Sequence, residues 1–379
     1  MKLLFFMDVM IFGGCEKMIV EITNELLKRN YQIDLLLIYK SKNNTYLEML
    51  DKRINIHYLW DKESESHTIN RIRYWCNVLI PRYVLKKFNF SKYDLIINFK
   101  DDYQTNILSS KINMKKITWV HNINQSYKKI NKEGIKYRFA DIMYQYIDKR
   151  YYNSFNAFNE IICVSKHAEK ALIRNANSKI KTHVIYNYVD YEKILDLSKK
   201  KINDVSFNQF TFCYLGRLSQ EKGVLELMNI FSQFSDDLNY RLLIIGEGYL
   251  ENEMKKMLTN INKTKVTFLP PKSNPYPYIL NSDVLICPSH RESFGLTVLE
   301  SILLKTVVVS TKCGGPEEII KDGYNGYLVN NYSDLKERLM SLLKEGRKKY
   351  SFEIKKYIEL QEVFFEELND VLKLYQERN

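Results

Sequence analysis

Glu292 and Glu300 bracket the segment Glu292-Ser-Phe-Gly-Leu-Thr-Val-Leu-Glu300, which directly follows the apolar run Asp283-Val-Leu-Ile-Cys-Pro288. Two carboxylates at the mouth of a sheet suit a polyol, because carboxylate oxygens accept hydrogen bonds from hydroxyl groups. The strand is expected to end at Pro288, Gly295 permits close backbone approach, and Leu296 to Leu304 reads as a buried helix. The N–H groups of Phe294, Gly295 and Leu296 then sit at a helix N-terminus, where they suit a phosphate. Glu292, next to Ser293, would hold the hydroxyls of a sugar, and Glu300 the vicinal hydroxyls of a ribose. Sugar, phosphate and ribose together describe a nucleotide sugar. Taken alone, the two glutamates also fit a loop cap and a solvated helix position, since charged side chains mostly lie on surfaces.

Other motifs bear on the choice. Gly216-Arg217-Leu-Ser-Gln-Glu-Lys222-Gly223 follows a strand-like run and offers a forked cation and a mobile point charge, a natural pair for two phosphates. Gly13-Gly14-Cys15-Glu16-Lys17 follows the first strand and opens a helix, so its N–H groups and dipole end can face an anion, although a tight strand-helix turn explains it equally well. Gly246-Glu-Gly248 lacks the third glycine of a dinucleotide fingerprint, which argues against an NAD oxidoreductase. His121 ends the run Ile117 to His121 and is expected to point into a cleft, the alternative being a structural histidine.

These residues need elements to position them, and the apolar runs supply them. Leu3 to Met7, Ile33 to Tyr39, Ile54 to Tyr58, Leu95 to Asn98, Ile117 to His121, Ile161 to Val164 and His183 to Tyr186 read as strands of a first sheet. Phe210 to Leu215, Tyr240 to Ile245, Val266 to Leu269, Val284 to Cys287, Val307 to Ser310 and Gly326 to Val329 form a second series. Helical patterns alternate with both, the signature of parallel sheets with crossover helices in an α/β protein. A hinge is placed near residue 190. Tyr357, Leu360, Phe364, Leu368, Val371 and Tyr375 recur at spacings of three and four, which predicts a long amphipathic C-terminal helix.

Together the segments around Glu292 and Glu300, Gly216 to Gly223 and Gly13 to Lys17 resemble the retaining glycosyltransferases of family 4, of the glycosyltransferase group 1 type. The resemblance is residue for residue in Gly-Arg-Leu-x-x-x-Lys-Gly; Cys15 stands where the family usually has alanine. It implies the GT-B fold, two Rossmann-like domains facing a cleft with a C-terminal helix crossing back to the first. The expected division is an acceptor-binding domain at 1–189, a nucleotide-sugar domain at 190–349 and a return helix at 350–379. It further implies catalytic roles for Glu292, His121, Arg217 and Lys222. Gly13, Gly14, Asn187, Gly216, Gly246 and Lys272 join residues 292–296 and Glu300 around the donor. Ser165-Lys-His167 matches cleft-lining positions, and the segment Cys313-Gly314-Gly315-Pro316-Glu317-Glu318 resembles a second glycine turn. The two prolines before Lys272 depart from the usual pattern where relatives contact the base.

The resemblance implies transfer of a sugar from a nucleotide diphosphate, with UDP as the expected nucleotide, to a saccharide acceptor that is lipid-linked, as in bacterial capsule or lipopolysaccharide assembly. The mechanism expected is front-face, the leaving phosphate taking the acceptor proton. No Asp-x-Asp motif occurs, so neither a metal ion nor another cofactor is expected. A catalytically silent nucleotide-sugar-binding partner of another transferase is the alternative reading.

Composition bounds the rest. With 379 residues and 45% apolar content the chain can bury substantial cores, and two domains are the economical count. No run of about twenty apolar residues occurs, and Met1 to Met7 is too short for a signal segment, so a cytoplasmic protein is expected. The six cysteines lack metal-like spacing. A net charge of +12 implies an anionic partner or a solubilising surface. Nucleic acid is disfavoured because no recognised binding motif is present. Basic and aromatic residues interleave from Arg71 to Phe88 and from Tyr127 to Tyr152, a composition suited to the inner face of an anionic membrane; amphipathic helices packed on a sheet are the alternative.

Overall fold

The computed structural model describes residues 1–11, 13–40, 46–62, 66–121, 135–176, 181–258, 263–347 and 352–375. Residues 122–134, which carry the first part of the second basic stretch, and the expected junction at 349–350 lie outside the described residues. The chain divides into two compact units, Met1–Tyr188 with Val363–Asn379, and Val189–Glu362.

Among the described residues, the first unit is built on seven strands: β1 Lys2–Met7, β2 Gln32–Tyr39, β3 Asn55–Trp60, β4 Leu95–Asn98, β5 Lys116–Val120, β6 Glu160–Cys163 and β7 Thr182–Val184. They pair in the order β3-β2-β1-β4-β5-β6-β7, every neighbour parallel. Such strands are covered on both faces, which is why they read as near-continuous apolar runs; Leu3 to Met7 are all fully buried. The crossovers are α1 Gly14–Lys28, α2 His67–Leu79, α3 Pro81–Leu85, α4 Tyr103–Ser110, α5 Ile135–Ser154 and α6 Lys166–Ala176. In α1 the apolar stripe Met18, Ile19, Ile22 and Leu26 is buried, as its three- and four-residue spacing requires.

The second unit repeats the scheme with, among the described residues, six parallel strands: β8 Phe210–Leu215, β9 Tyr240–Ile245, β10 Val266–Leu269, β11 Val284–Cys287, β12 Val307–Thr311 and β13 Gly326–Val329. Their order is β10-β9-β8-β11-β12-β13. The helices are α7 Tyr191–Ser198, α8 Val224–Phe231, α9 Glu251–Met257, α10 Tyr276–Asn281, α11 Leu296–Leu303, α12 Pro316–Ile319, α13 Tyr332–Glu345 and α14 Lys355–Lys373.

In each sheet the strand order reverses once, between β1 and β4 in the first and between β8 and β11 in the second. Helices leave opposite faces there, and a crevice opens beyond the carboxyl ends of the two strands. Gly13 and Gly14 follow β1; the Gly216 to Gly223 loop follows β8 and the Glu292 loop follows β11. Each unit taken by itself is Rossmann-like, as the GT-B expectation requires.

The final helix is shared. Tyr357 in its first turn donates to the Ile319 carbonyl at 2.8 Å and accepts from the Asn325 amide at 2.6 Å, all within the second unit. Its later turns belong to the first unit, where Phe364 stacks on Trp119 at 6.0 Å and meets Tyr188 at 5.4 Å and Phe365 at 4.9 Å. Arg29 lies over the Phe365 ring at 4.6 Å. Phe364 is 1% exposed, so Phe364→Ala is expected to leave a cavity costing about 3–5 kcal/mol, read as a lowered urea midpoint. An unchanged midpoint would mean that the C-terminal turns add nothing to the first unit.

Candidate functional site

Three loops of the second unit are woven together at its switch point. After β8 the chain turns at Gly216, whose N–H donates to the Ile245 carbonyl at 3.1 Å, while Leu218 N–H donates to the Glu247 carbonyl at 2.8 Å. Gly246 is required by this close approach, because a Cβ there would lie 1.9 Å from the Gly216 carbonyl oxygen. The loop ends in a single tight turn, Gln220–Lys222, closed by Gly223 at φ 66°. A side chain at 223 would be strained by that φ and would also sit 2.0 Å from the Pro288 carbonyl oxygen. The β8 loop is thus held against the end of β11, and His290 N–H, donating to the Glu221 carbonyl at 2.9 Å, fastens the two. On the other side, Glu292 N–H donates to the Cys313 carbonyl and Gly315 N–H donates to the Glu292 carbonyl, both at 2.8 Å.

This scaffold brings together two of the residues singled out in the sequence. Lys222 Nζ lies 2.6 Å from Glu292 Oε1, with the side chains 20% and 17% exposed. Ser289 Oγ donates to the same carboxylate oxygen at 2.9 Å. Burial alone would lower the Lys222 pKa, but the charge and hydrogen bond of Glu292 outweigh it and hold the ammonium above its ordinary value. Beyond Glu292, Gly295 at φ 94° begins α11, whose first N–H groups have no acceptor within the helix. Glu300, in the second turn of α11, is buried and accepts from Tyr276 at 3.1 Å.

The remaining predicted residues of this unit stand apart. Arg217 is 70% exposed and pairs with Glu221 at 3.4 Å. Lys272 binds Asp204 at 2.7 Å, and Asp204 also accepts from Tyr278. Neither Asp204 nor Tyr276 was singled out in the sequence, and only the fold brings them to their partners. Ser293 and Phe294 complete the loop before Gly295.

In the first unit, Gly14 opens α1 and His121 lies one residue beyond β5. Phe99, just after β4, connects them: its carbonyl accepts from Cys15 Sγ at 3.6 Å, and its ring centroid lies 4.8 Å from that of the His121 ring. Among the described residues, His121 Nε2 is buried without a hydrogen-bond partner, and so is Asn187 Oδ1. Burial, then the nearby Lys100 charge, push the His121 pKa down to about 3, so the imidazole is neutral at physiological pH.

Two sequence families match in tandem. The chain matches Glycosyltransferase Family 4 over residues 12–193 and Glycosyl transferases group 1 over residues 197–359. The chain belongs to the family 4 glycosyltransferases. Among relatives, an uncharacterized glycosyltransferase of Methanocaldococcus jannaschii, MJ1059, is 29% identical over 62% of the chain and 60% of its own length. The N-acetylgalactosamine-N,N'-diacetylbacillosaminyl-diphospho-undecaprenol 4-alpha-N-acetylgalactosaminyltransferase of Campylobacter jejuni is 27% identical over 50% of the chain and 52% of its own length. These matches therefore span less than two thirds of either relative. Anabaena Alr3699/HepE, solved in complex with UDP-glucose, superposes with a TM-score of 0.73 over 97% of the chain and 99% of its own, at 19% identity. That likeness concerns the fold. Among the described residues of this family 4 chain, no helix is long and apolar enough to cross a membrane.

The buried imidazole has a measurable consequence. Its folded pKa lies below the ordinary 6.5, so the unfolded chain takes up the proton first and stability contributed by neutral His121 is lost as pH falls from 6.5 toward about 3. In urea titrations, the stability of the parent minus that of His121→Asn is expected to shrink over that window. A difference independent of pH would place the ring in contact with solvent.

Proposed function

We propose that the chain transfers a sugar from a nucleoside-diphosphate donor, a UDP-sugar, to a saccharide hydroxyl with retention of anomeric configuration and without a metal ion. The Lys222–Glu292 pair at the switch point of the second sheet carries this reading. A cation beside a carboxylate, flanked by the N-terminus of α11, offers one group for a phosphate and one for sugar hydroxyls. In this reading the donor separates the pair, Lys222 turning to the diphosphate and Glu292 to the sugar. The UDP-glucose complex of the similarly folded Anabaena protein supports the choice of donor class.

Leaving-group stabilisation is the main demand of such a transfer, because the bond to the anomeric carbon breaks toward the phosphate. Lys222, the exposed Arg217 and the N–H groups at the start of α11 supply preorganised positive potential at the departing oxygen. Glu292 positions the sugar without forming a bond to it, and the leaving phosphate takes the acceptor proton. His121, being neutral and having an Nε2 unpaired among the described residues, accepts or orients a hydroxyl; it is not assigned as the base. Glu300 takes the ribose after exchanging its contact with Tyr276. Lack of an Asp-x-Asp motif supports metal independence.

A lipid-linked acceptor is supported by the undecaprenol-linked substrate in the Campylobacter relative's name and by the surface of the first unit. Ile69, Ile72, Leu79, Ile80 and Tyr83 of the α2–α3 segment are exposed beside exposed Arg71, Arg82, Lys86 and Lys87. Ile142, Tyr144 and Tyr146 are exposed on α5, and α2 and α5 both pack on α4. Apolar and basic side chains in alternation suit an anionic bilayer face, each cation contributing about 1 kcal/mol.

Glu292→Ala is expected to bind UDP as the parent does while sugar transfer falls on the order of 100-fold, since the donor sugar loses its positioning group. Radiolabel transfer and calorimetry on the same preparations check both. Unchanged transfer would remove Glu292 from the site, and a parent that binds UDP-sugars without turnover would mark a silent binding partner instead.

The full chain is expected to float with anionic vesicles at low salt and to be released by high salt. Equal recovery with neutral vesicles, insensitive to salt, would contradict the membrane face. The complete chain is needed because Val363–Asn379 belongs to the first unit.

A further inference from the structure

Two thiols of the second unit lie beside the Lys222–Glu292 pair, and the chemistry above does not draw on them. Cys287 ends β11 and Cys313 lies two residues beyond β12. They are 6% and 5% exposed. The strand register pairs Cys287 with Ser310 on the neighbouring parallel strand, so those two side chains stand on one face of the sheet. Cys313 folds back over the strand end and places its Sγ 3.8 Å from Ser310 Oγ. Both sulfurs thus flank one hydroxyl, and the Cys313 thiol hydrogen-bonds to Cys287.

Each cysteine is also joined to Glu292. Cys287 Sγ donates to Ser289 Oγ at 3.7 Å, and that hydroxyl donates to the Glu292 carboxylate at 2.9 Å. The Cys313 carbonyl accepts from the Glu292 N–H at 2.8 Å. A molecule as small as peroxide that enters beside the part-exposed Glu292 meets Cys287 behind a single hydroxyl. A buried thiol is ordinarily inert, and burial holds Cys15 and Cys163 above their ordinary value and pushes Cys213 up to about 12. At Cys287 the hydrogen bond from Cys313, helped by the Lys222 charge, outweighs burial and holds the thiol below its ordinary value; the same contact raises Cys313. Thiolate character makes a cysteine react with an oxidant, and a second thiol in contact resolves the product to a disulfide.

We propose that Cys287 and Cys313 form an oxidation site: peroxide closes them into a disulfide, and closure displaces Glu292 and weakens its hold on the donor sugar. In the first step Cys287 loses its proton and its sulfur attacks one peroxide oxygen; the S–O bond forms, the O–O bond breaks, and the departing hydroxide takes up that proton as water. In the second the Cys313 sulfur attacks the sulfenic sulfur; the S–S bond forms, the S–O bond breaks, and hydroxide leaves with the Cys313 proton as a second water. Two electrons pass from the sulfurs to peroxide. A disulfide holds its sulfurs about 2 Å apart, closer than two thiols in contact, so the chain at Cys313 is drawn toward β11. The Cys313 carbonyl and Ser289 carry that shift to Glu292. The consequence for the donor rests on the reading of Glu292 given above; the oxidation does not.

The test treats the full-length parent and C287S with hydrogen peroxide, maps their peptides by mass spectrometry without reduction, and titrates UDP and UDP-glucose into each by calorimetry, always against the same protein kept reduced. The oxidised parent is expected to yield a Cys287–Cys313 cross-link and to bind UDP-glucose about tenfold more weakly, since a charged hydrogen bond to the sugar is lost, while its affinity for UDP is unchanged. Dithiothreitol should restore the parent. C287S should keep its own UDP-glucose affinity through the treatment, and C287A serves the same comparison if melting curves show that C287S does not fold. A parent without the cross-link, a cross-link that leaves UDP-glucose affinity unchanged, or a loss that persists in C287S overturns the proposal and leaves the donor reading standing. A reduced parent that binds no UDP-glucose overturns the donor reading and the switch with it, while a mapped cross-link keeps the oxidation site.

Discussion

The contact between Lys222 and Glu292 is the interaction around which the second unit is organised. A half-buried ion pair is a poor source of stability, because removing both charges from water costs much of what their attraction returns. What it requires is accuracy: two residues 70 positions apart must meet at 2.6 Å. The surrounding loops supply that accuracy almost entirely through main-chain bonds, Gly216 to Ile245, Leu218 to Glu247, His290 to Glu221, and Glu292 to Cys313 and Gly315. Backbone bonds between strand ends are insensitive to side-chain identity, so the frame can stay fixed while the side chains it carries differ. Gly223 and Gly246 are the positions where that weave leaves no space for a Cβ.

The two units place charge at the same topological point by different means. In the second, a lysine from the β8 loop meets a carboxylate from the β11 loop. In the first, Lys100 just beyond β4 meets Asp8, which follows β1, and Glu16 of α1. Each cation crosses between the two strands where the order reverses, the one part of an open α/β sheet where no crossover helix fills the space above the strand ends. A crevice there is available for a ligand, and a buried charge there must be paired to be tolerated.

Much of this was legible in the sequence, for a reason that also explains what was not. The described strands are parallel, and those inside each sheet are buried on both faces and read as apolar runs, while the edge strands are partly exposed; the boundaries shift by only a residue or two, as in Thr182–Val184 against the expected His183–Tyr186. The glycine turns and the Gly216 to Gly223 motif are local, and they lie where their spacing placed them. Pairings between distant side chains carry no such signal. Lys222 and Glu292 were each given a separate ligand, whereas the folded chain joins them; Arg217 was read as a phosphate clamp and lies exposed beside Glu221. Lys272 pairs with Asp204 and Glu300 with Tyr276, contacts that only the tertiary structure creates. The Gly13–Gly14 turn was read as facing an anion, while the neighbour of Gly13 in space is the Glu16 carboxylate.

The account turns on whether the Lys222–Glu292 pair gives way to a donor. A crystal structure of the chain with UDP-glucose bound tests this most directly. The account predicts Lys222 Nζ within about 3 Å of a diphosphate oxygen and no longer on Glu292, with the Glu292 carboxylate bonded to hydroxyls of the sugar. A complex in which the pair remains intact at 2.6 Å and the nucleotide sits elsewhere would contradict it.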